Sequence, residues 1–262
     1  MSDFYVGYLP HAPRPVASFV RRVVVVLGLL LVATALVLVF GQMPFDNSAF
    51  EYGKLRTFEG IVEAQPYPTL VVQRPGAVGR EDKYSRYLMV APGKHAADDL
   101  VAGFDGKQVQ LQGRLIYREG GTMIEVVPGS IGSVDAAPAT KESIRDLGPV
   151  TVYGEIVDSK CYLGVMNPGR GKVHRDCAAR CLSGGIAPMF VSSNGEDQYL
   201  LVGPDEAAIG RDALREFVAE PITLSGELLQ RGGTRLLRID AGALRHTLDR
   251  INTPLPSKGS QG

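Results

Sequence analysis

The sequence predicts a mainly β protein in which one N-terminal transmembrane helix precedes two tandem small β-barrels, the second with a helical insertion. Three observations predict this organisation: a long apolar run near the N-terminus, a series of short valine-rich segments ending in glycine or proline, and an internal repeat of that series. Short apolar segments separated by glycine and proline favour strands and turns over a helical bundle. The 262 residues allow one or two ordinary domains.

The apolar run predicts a membrane anchor. Residues 23–40 contain no charged side chain, and an α-helix over this run is roughly 27 Å long. The hydrocarbon core of a bilayer is about 30 Å thick, so the run is long enough to span it. A cleaved signal peptide usually has an apolar region of about 7–15 residues and a small-x-small cleavage site, and this sequence has neither feature. We therefore predict a retained single-pass transmembrane helix over residues 23–43.

Charged residues on either side of the run predict its orientation. Arg21 and Arg22 precede it, whereas Asp46 and Glu51 follow it. Basic residues are enriched on the cytoplasmic side of membrane helices. We therefore expect residues 1–22 to be cytoplasmic and the bulk of the chain to lie on the other side of the membrane.

The β-rich part of the chain contains an internal repeat. Residues 106–127 and 219–240 each contain two apolar runs separated by a Gly-Gly-Thr turn, which is a hairpin pattern. A glycine in the middle of the first strand suits a bend or bulge at a barrel corner. About five short strands per copy predict a small Greek-key barrel of the OB type, with a β-sandwich as the alternative. The aligned positions are Val109/Ile222, Leu111/Leu224, Gly113/Gly226 and Leu115/Leu228.

Changes in composition predict the segment boundaries. The stretch between the two copies is polar and rich in alanine and proline, as in a linker. The C-terminal tail is rich in proline, glycine and serine, and we expect it to be disordered. The predicted segments are an OB-like module at residues 51–130, a linker at 131–148, a second OB-like module at 149–247 with an insertion at 159–188, and the tail at 253–262.

The insertion contains every cysteine of the chain. These are Cys161, Cys177 and Cys181, and His174 lies beside them in the sequence. A helix predicted over residues 173–182 places His174, Cys177 and Cys181 on one face, because steps of three and four residues bring side chains together. Cys161 comes from the end of the preceding strand. Three thiolates and one imidazole predict a metal site for zinc, with copper(I) or an iron–sulfur cluster as alternatives.

Two other interpretations of the cysteines stay open at this point. Cysteines outside the cytoplasm tend to oxidise, so Cys161 could pair with Cys177 or Cys181 in a disulfide that staples the insertion. Cys177 and Cys181 are badly placed to pair with each other, since they lie four residues apart on one helix. A redox-active thiol is the third interpretation, because nearby cations such as Lys160 and Arg175 lower the pKa of a thiol.

The Cys/His motif resembles that of a class of bacterial envelope proteins. The pattern is Gly-x-x-x-Asp-x-x-Cys followed by His-x-x-Cys-x-x-x-Cys, at Gly154, Asp158, Cys161, His174, Cys177 and Cys181. The resemblance covers part of the second module, and neither the anchor nor the first module. It implies an exported location and a shared Cys/His constellation on an OB-like module, without an assigned reaction. We therefore expect the protein in the bacterial inner membrane, with its barrels in the periplasm.

Charge and composition restrict the function. The chain has 28 basic and 28 acidic residues, which gives no electrostatic case for binding nucleic acid. We find no convergent set of acid and base residues around the cysteines, so we expect a non-catalytic protein. The predicted role is an accessory subunit or assembly factor of a membrane redox complex, with another membrane or periplasmic protein as its partner. A structural module with a disulfide staple is the alternative.

Overall fold

The computed structural model describes residues 12–41, 47–74, 83–118, 120–134, 143–242 and 244. It confirms the predicted fold class: one N-terminal apolar helix, two five-stranded barrels, and a helical insertion in the second barrel. The predicted disordered tail at 253–262 lies outside the described residues. So do residues 1–11 of the segment predicted to be cytoplasmic.

The N-terminal helix α1 (Arg14–Phe40) forms a unit of its own. It contains 27 residues, none of them buried, and it is long and apolar enough to cross a membrane. Valine and leucine dominate all sides of this helix, as expected for a surface that faces lipid. The helix begins at Arg14, so it extends the predicted 23–43 span towards the N-terminus.

The first barrel closes five strands into a ring. The ring strands are β2 (Arg56–Glu63), β3 (Thr69–Gln73), β4 (Tyr84–Val90), β5 (Gln108–Arg118) and β6 (Gly121–Val126), with helix α2 (Asp98–Val101) between β4 and β5. In the ring, β2 pairs with β5 and β3, β3 pairs with β4, β4 runs parallel to β6, and β6 pairs back with β5. Two short strands outside the ring also pair with β5: β1 (Ser48–Phe50) precedes the ring and β7 (Gly132–Ser133) follows it.

The second barrel has the same strand order. Its first strand pairs with its second and fourth, and its third strand runs parallel to its fifth. In each barrel this order joins three consecutive antiparallel strands to a returning hairpin, the Greek-key closure of an OB-type barrel. The strands are β8 (Ile144–Asp158), β9 (Pro188–Ser192), β10 (Gln198–Val202), β11 (Ile222–Arg231) and β12 (Thr234–Arg238), and the insertion between β8 and β9 contains helix α3 (Arg175–Ser183).

Gly113 lies where β5 passes from one neighbour to the next. It pairs with Arg56 of β2 and with Val126 of β6, so one strand serves two sides of the barrel. A Cβ atom at this position would lie 2.4 Å from the Ile124 side chain, which explains the glycine. The bend predicted at this glycine is therefore a closely packed barrel corner.

The strand β8 begins inside the segment predicted as a linker. It starts at Ile144, and its first residues pair with β11 from Arg231 backwards. The last residues of the predicted linker 131–148 therefore belong to the second barrel. Their polar side chains resemble a linker in the sequence, but a strand with one exposed face and one unpaired edge also tolerates polar residues.

One hydrophobic cluster joins the two barrels, and each barrel also has a core of its own. Tyr67, Ile116 and Met123 of the first barrel pack in one cluster with Val157 and Leu163 of the second. The Tyr67 hydroxyl donates to the Leu201 carbonyl at 3.0 Å and accepts from the Ile209 amide at 3.1 Å. Residues of both barrels thus form one compact unit.

A buried ammonium group joins the barrels. Lys160, which follows β8, is 2% exposed. Its Nζ donates to the carbonyls of Ala91 and Gly93 at 2.8 Å each, and lies 2.8 Å from the Glu125 carboxylate. All three acceptors belong to the first barrel. A buried charge is tolerated when it is paired and fully hydrogen-bonded, and Lys160 meets both conditions.

We predict that Lys160→Met lowers the free energy of unfolding by about 3 kcal/mol, because it leaves the Glu125 carboxylate buried without its closest cation. Arg114, whose Nη1 lies 3.6 Å from the same carboxylate, keeps the loss from being larger. Urea unfolding of the full chain in detergent measures the effect. Lys54→Met, at a side chain that is 70% exposed, is the matched control and should change stability by less than about 0.5 kcal/mol. Equal stability of the two variants would contradict the prediction.

We also predict a loss of stability at alkaline pH that depends on Tyr67. Burial raises the pKa of Tyr67 to about 12, against about 10 in an unfolded chain. A raised folded-state pKa gives stability that is complete below pH 10 and is lost as the pH rises towards 12. The expected loss between pH 8 and pH 11 is about 1.4 kcal/mol. Tyr67→Phe should remove this share of the pH dependence, whereas Tyr153→Phe, at an exposed side chain, should keep it. Urea unfolding from pH 8 to 11 measures all three proteins, and identical slopes for wild type and Tyr67→Phe would refute it.

Candidate metal centre

Asp158 fixes the start of the cysteine segment. Its side chain is fully buried at the end of β8. One carboxylate oxygen accepts a hydrogen bond at 2.8 Å from the Cys161 amide, at the start of the short helical turn Cys161–Val165. The other oxygen lies 3.0 Å from Nε2 of His174. A single carboxylate therefore positions two of the four predicted ligands.

The chain then returns to Cys161 through a loop and helix α3. The helix predicted over residues 173–182 is present as a 3₁₀ turn, Lys172–His174, followed by α3, Arg175–Ser183. Cys177 and Cys181 lie one turn apart on α3, on the side that faces Cys161. Cys181 and Ala178 are buried against the barrels, whereas Cys177 is half-buried at the edge of the same cluster as Cys181.

The three thiols form one compact group. The Cys161 sulfur lies 3.9 Å from the sulfur of Cys177 and 3.9 Å from that of Cys181. All three are free thiols, and the three sulfurs lie within 4.8 Å of one another. Two thiolates bound to one tetrahedral zinc ion at about 2.3 Å are roughly 3.8 Å apart. The observed separations therefore fit three ligands of a single metal ion.

His174 belongs to a second group that overlaps the first. Asp158, Cys161 and His174 are all buried and offer ligand atoms within 4.8 Å of one another. Cys161 is the residue that the two groups share. The structure thus brings Cys161, Cys177 and Cys181 together and places His174 beside them, next to Asp158.

The sequence did not predict Lys94, which the first barrel contributes to the site. Its Nζ lies 2.7 Å from the Cys177 sulfur, 3.6 Å from the Cys181 sulfur and 3.3 Å from the Cys177 carbonyl oxygen. Lys94 is 83 residues away from Cys177 in the chain and follows Pro92 and Gly93 in an ordinary turn sequence. No local pattern links such a lysine to a thiol site.

Contacts and charges shift the pKa values of two thiols in opposite directions. The pKa of Cys181 is lowered, first by its hydrogen bond with Cys161 and then by the positive charge of Lys94. The pKa of Cys161 is raised, first by that same hydrogen bond and then by burial and the nearby Asp158. Burial alone would lower the pKa of Lys94, but its hydrogen bond to Cys177 and the other thiols together raise it. Both shifts favour the charged forms of Cys181 and Lys94, and thiolates are the form that binds metals.

The three cysteines and the Asp158/Cys161/His174 group therefore fit a metal site. Zinc, copper(I) and iron–sulfur clusters all use thiolate ligands, so the donor set alone does not choose among them. Comparison of the chain with protein-family models, with curated proteins and with solved structures finds no match.

Proposed function

We propose that this chain is a single-pass bacterial inner-membrane protein whose periplasmic barrels hold a thiolate-bound metal ion, and that it serves a membrane redox complex as an accessory subunit or assembly factor. The observation that carries the proposal is the convergence of Cys161, Cys177 and Cys181. Two different constraints place these residues: Asp158 binds the amide of Cys161, and α3 carries the other two. Such convergence without a disulfide supports a common ligand.

His174 is the proposed fourth ligand. A histidine that binds a metal usually donates its other ring N–H to a carboxylate, which fixes the tautomer and the orientation of the ring. Asp158 is such a carboxylate for His174, because its oxygen lies 3.0 Å from Nε2 of the ring. The second ring nitrogen, Nδ1, then becomes the candidate donor to the metal.

Zinc is the first candidate for the ion. Three cysteines and one histidine are a standard composition for a tetrahedral zinc site. The 3.9 Å sulfur separations suit ligands gathered around one atom. In a [4Fe–4S] cluster each cysteine binds a different iron atom, and in a [2Fe–2S] cluster only two cysteines share an iron atom, so a single-ion site accounts for three thiols at this spacing more simply. Copper(I), which also prefers thiolates, is the alternative ion.

The burial of the site supports a non-catalytic role. Cys161, Cys181 and His174 are at most 3% exposed, and only Cys177 is half-buried. A substrate would therefore have little access to the centre. An ion held in this way is suited to stabilising the insertion as a docking surface or to being passed to a partner.

A thiol redox protein is the second candidate function. Cys177 is the accessible thiol, and Cys161 lies 3.9 Å behind it as a second thiol that could complete a disulfide. An accessible thiol next to a resolving cysteine is the usual arrangement of a redox-sensing site. Turnover with a dithiol substrate, lost in Cys177→Ser, would favour this function over metal binding.

We predict that the detergent-solubilised full chain, purified anaerobically without chelator, binds about one equivalent of zinc. Cys161→Ser should abolish binding, because Cys161 belongs to both ligand groups. Met166→Leu is the matched control, since Met166 is the exposed sulfur-containing residue on the same insertion. Elemental analysis and free-thiol counting measure both quantities. Absence of metal together with one internal disulfide and one titratable thiol would refute the metal site.

We predict that Asp158→Asn weakens zinc binding by about tenfold or more. The asparagine can still accept the hydrogen bond from the Cys161 amide, but it no longer offers a second carboxylate oxygen to the His174 ring. His174→Ala should weaken binding at least as much. Competition with a chromophoric chelator gives the affinities, and Co²⁺ absorption reports whether a nitrogen ligand has been lost. Wild-type affinity and spectrum in both variants would remove His174 from the ligand set and leave a site of three cysteines.

A further inference from the structure

One turn of the first barrel reaches the thiols of the second. Residues 91–96 connect β4 with the chain leading to α2, and Lys94 lies in the middle of this turn. Its ammonium group donates to the sulfurs of Cys177 and Cys181 and to the Cys177 carbonyl. A lysine in a surface turn normally extends into water, since its strongly hydrated charge gains little elsewhere. Here the side chain is half-buried and directed at the cysteine group.

The backbone on both sides of Lys94 is fixed to the second barrel. The buried Lys160 ammonium binds the carbonyls of Ala91 and Gly93. On the other side, the Ala96 amide donates to the Gly184 carbonyl at 3.0 Å, directly after the end of α3. The turn and α3 are so close that a Cβ atom at Gly184 would lie 1.7 Å from the Lys94 carbonyl oxygen. The position of Lys94 therefore depends on how the two barrels are docked.

The position of Lys94 matters for the charge of a metal-loaded site. Three thiolates around one divalent ion carry a net charge of −1, and a buried unpaired charge is costly. The Lys94 ammonium supplies the opposite charge at hydrogen-bond distance from two of the three sulfurs. The remaining carboxylate of the site, on Asp158, has its own donors in the Cys161 amide and the His174 ring. Lys94 is thus the cation available to balance the metal-bound thiolates among the described residues of the site.

We infer that Lys94 belongs to the metal centre: the first barrel supplies the ammonium that balances the net negative charge of a divalent ion bound by the three thiolates of the second barrel. This inference rests on the proposed metal site and deepens it. Lys94 acts through its charge and its hydrogen bonds to sulfur and is not a ligand of the ion. Full metal affinity therefore requires both barrels in their docked arrangement, and metal binding in turn stabilises that docking.

The test compares Zn²⁺ affinities of the detergent-solubilised full chain and its variants. Lys94→Met should weaken Zn²⁺ binding by about tenfold or more, the range found when groups that support metal ligands are removed. Lys94→Arg, which keeps the charge, should recover part of this loss. The matched control is Lys172→Met, on the insertion itself, whose side chain is 75% exposed and lies near Glu220 rather than the thiols. Thermal unfolding of the metal-free proteins shows whether Lys94→Met has altered the fold itself.

Two further measurements distinguish a charge effect from a structural one. The Co²⁺ spectrum of Lys94→Met should keep its sulfur-to-metal charge-transfer band, because the ligand set is unchanged. Zn²⁺ should slow hydrogen exchange of the Ala96 amide in the wild type and to a smaller degree in Lys94→Met. If Lys94→Met binds Zn²⁺ as tightly as the wild type while Cys161→Ser binds none, this inference is wrong and the proposed metal site stands. If the wild type binds no metal, the proposed function fails first.

Discussion

The burial of one lysine between the two barrels determines much of this structure. Lys160 has its charge and its three donors satisfied by groups of the first barrel, although it belongs to the second. Removing those acceptors would leave an ammonium group in an apolar core, which is among the most costly changes a fold can undergo. The two barrels are therefore not independent modules that happen to be linked. The same residue that joins them precedes Cys161 in the chain, so docking and the thiol group are positioned together.

Asp158 has a comparable role within the second barrel. It satisfies the first free amide of the cysteine turn and at the same time orients His174. A side chain without solvent exposure that accepts two hydrogen bonds is restricted to one arrangement, because any rotation would leave a buried oxygen unpaired. The cysteine turn and the 3₁₀ turn before α3 thus have a fixed separation even though a loop of glycines and a proline connects them. Rigidity at this point comes from a buried polar contact rather than from the loop itself.

The parts of the fold that could be predicted from the sequence are those with local signals. The strands and barrels were predictable because their signals act over a few residues: alternating apolar positions, Gly-Gly turns, and a glycine, Gly113, at a crowded strand corner. The first residues of β8 were not predicted as a strand. Their polar side chains resemble a linker, and only the pairing with β11 makes them a strand. Helical spacing predicts that Cys177 and Cys181 share one face, and the position of Cys161 before a loop lets it return to them, so the grouping of the three sulfurs was predictable. Lys94 was missed because its position depends on the docking of two distant segments, which no local pattern records.

The uneven exposure of the three thiols has a kinetic consequence. Cys161 and Cys181 lie within the shared core, while Cys177 alone reaches the surface. In the proposed metal centre, an incoming ligand would approach the ion from the Cys177 side and replace that sulfur before either of the others. Exchange by this route would be bimolecular, so its rate would rise with the concentration of the competing thiol or acceptor protein. Unassisted loss of the ion would require the core to open and would be correspondingly slow. Such a centre would keep its ion in dilute surroundings and release it at a rate set by the acceptor that approaches Cys177.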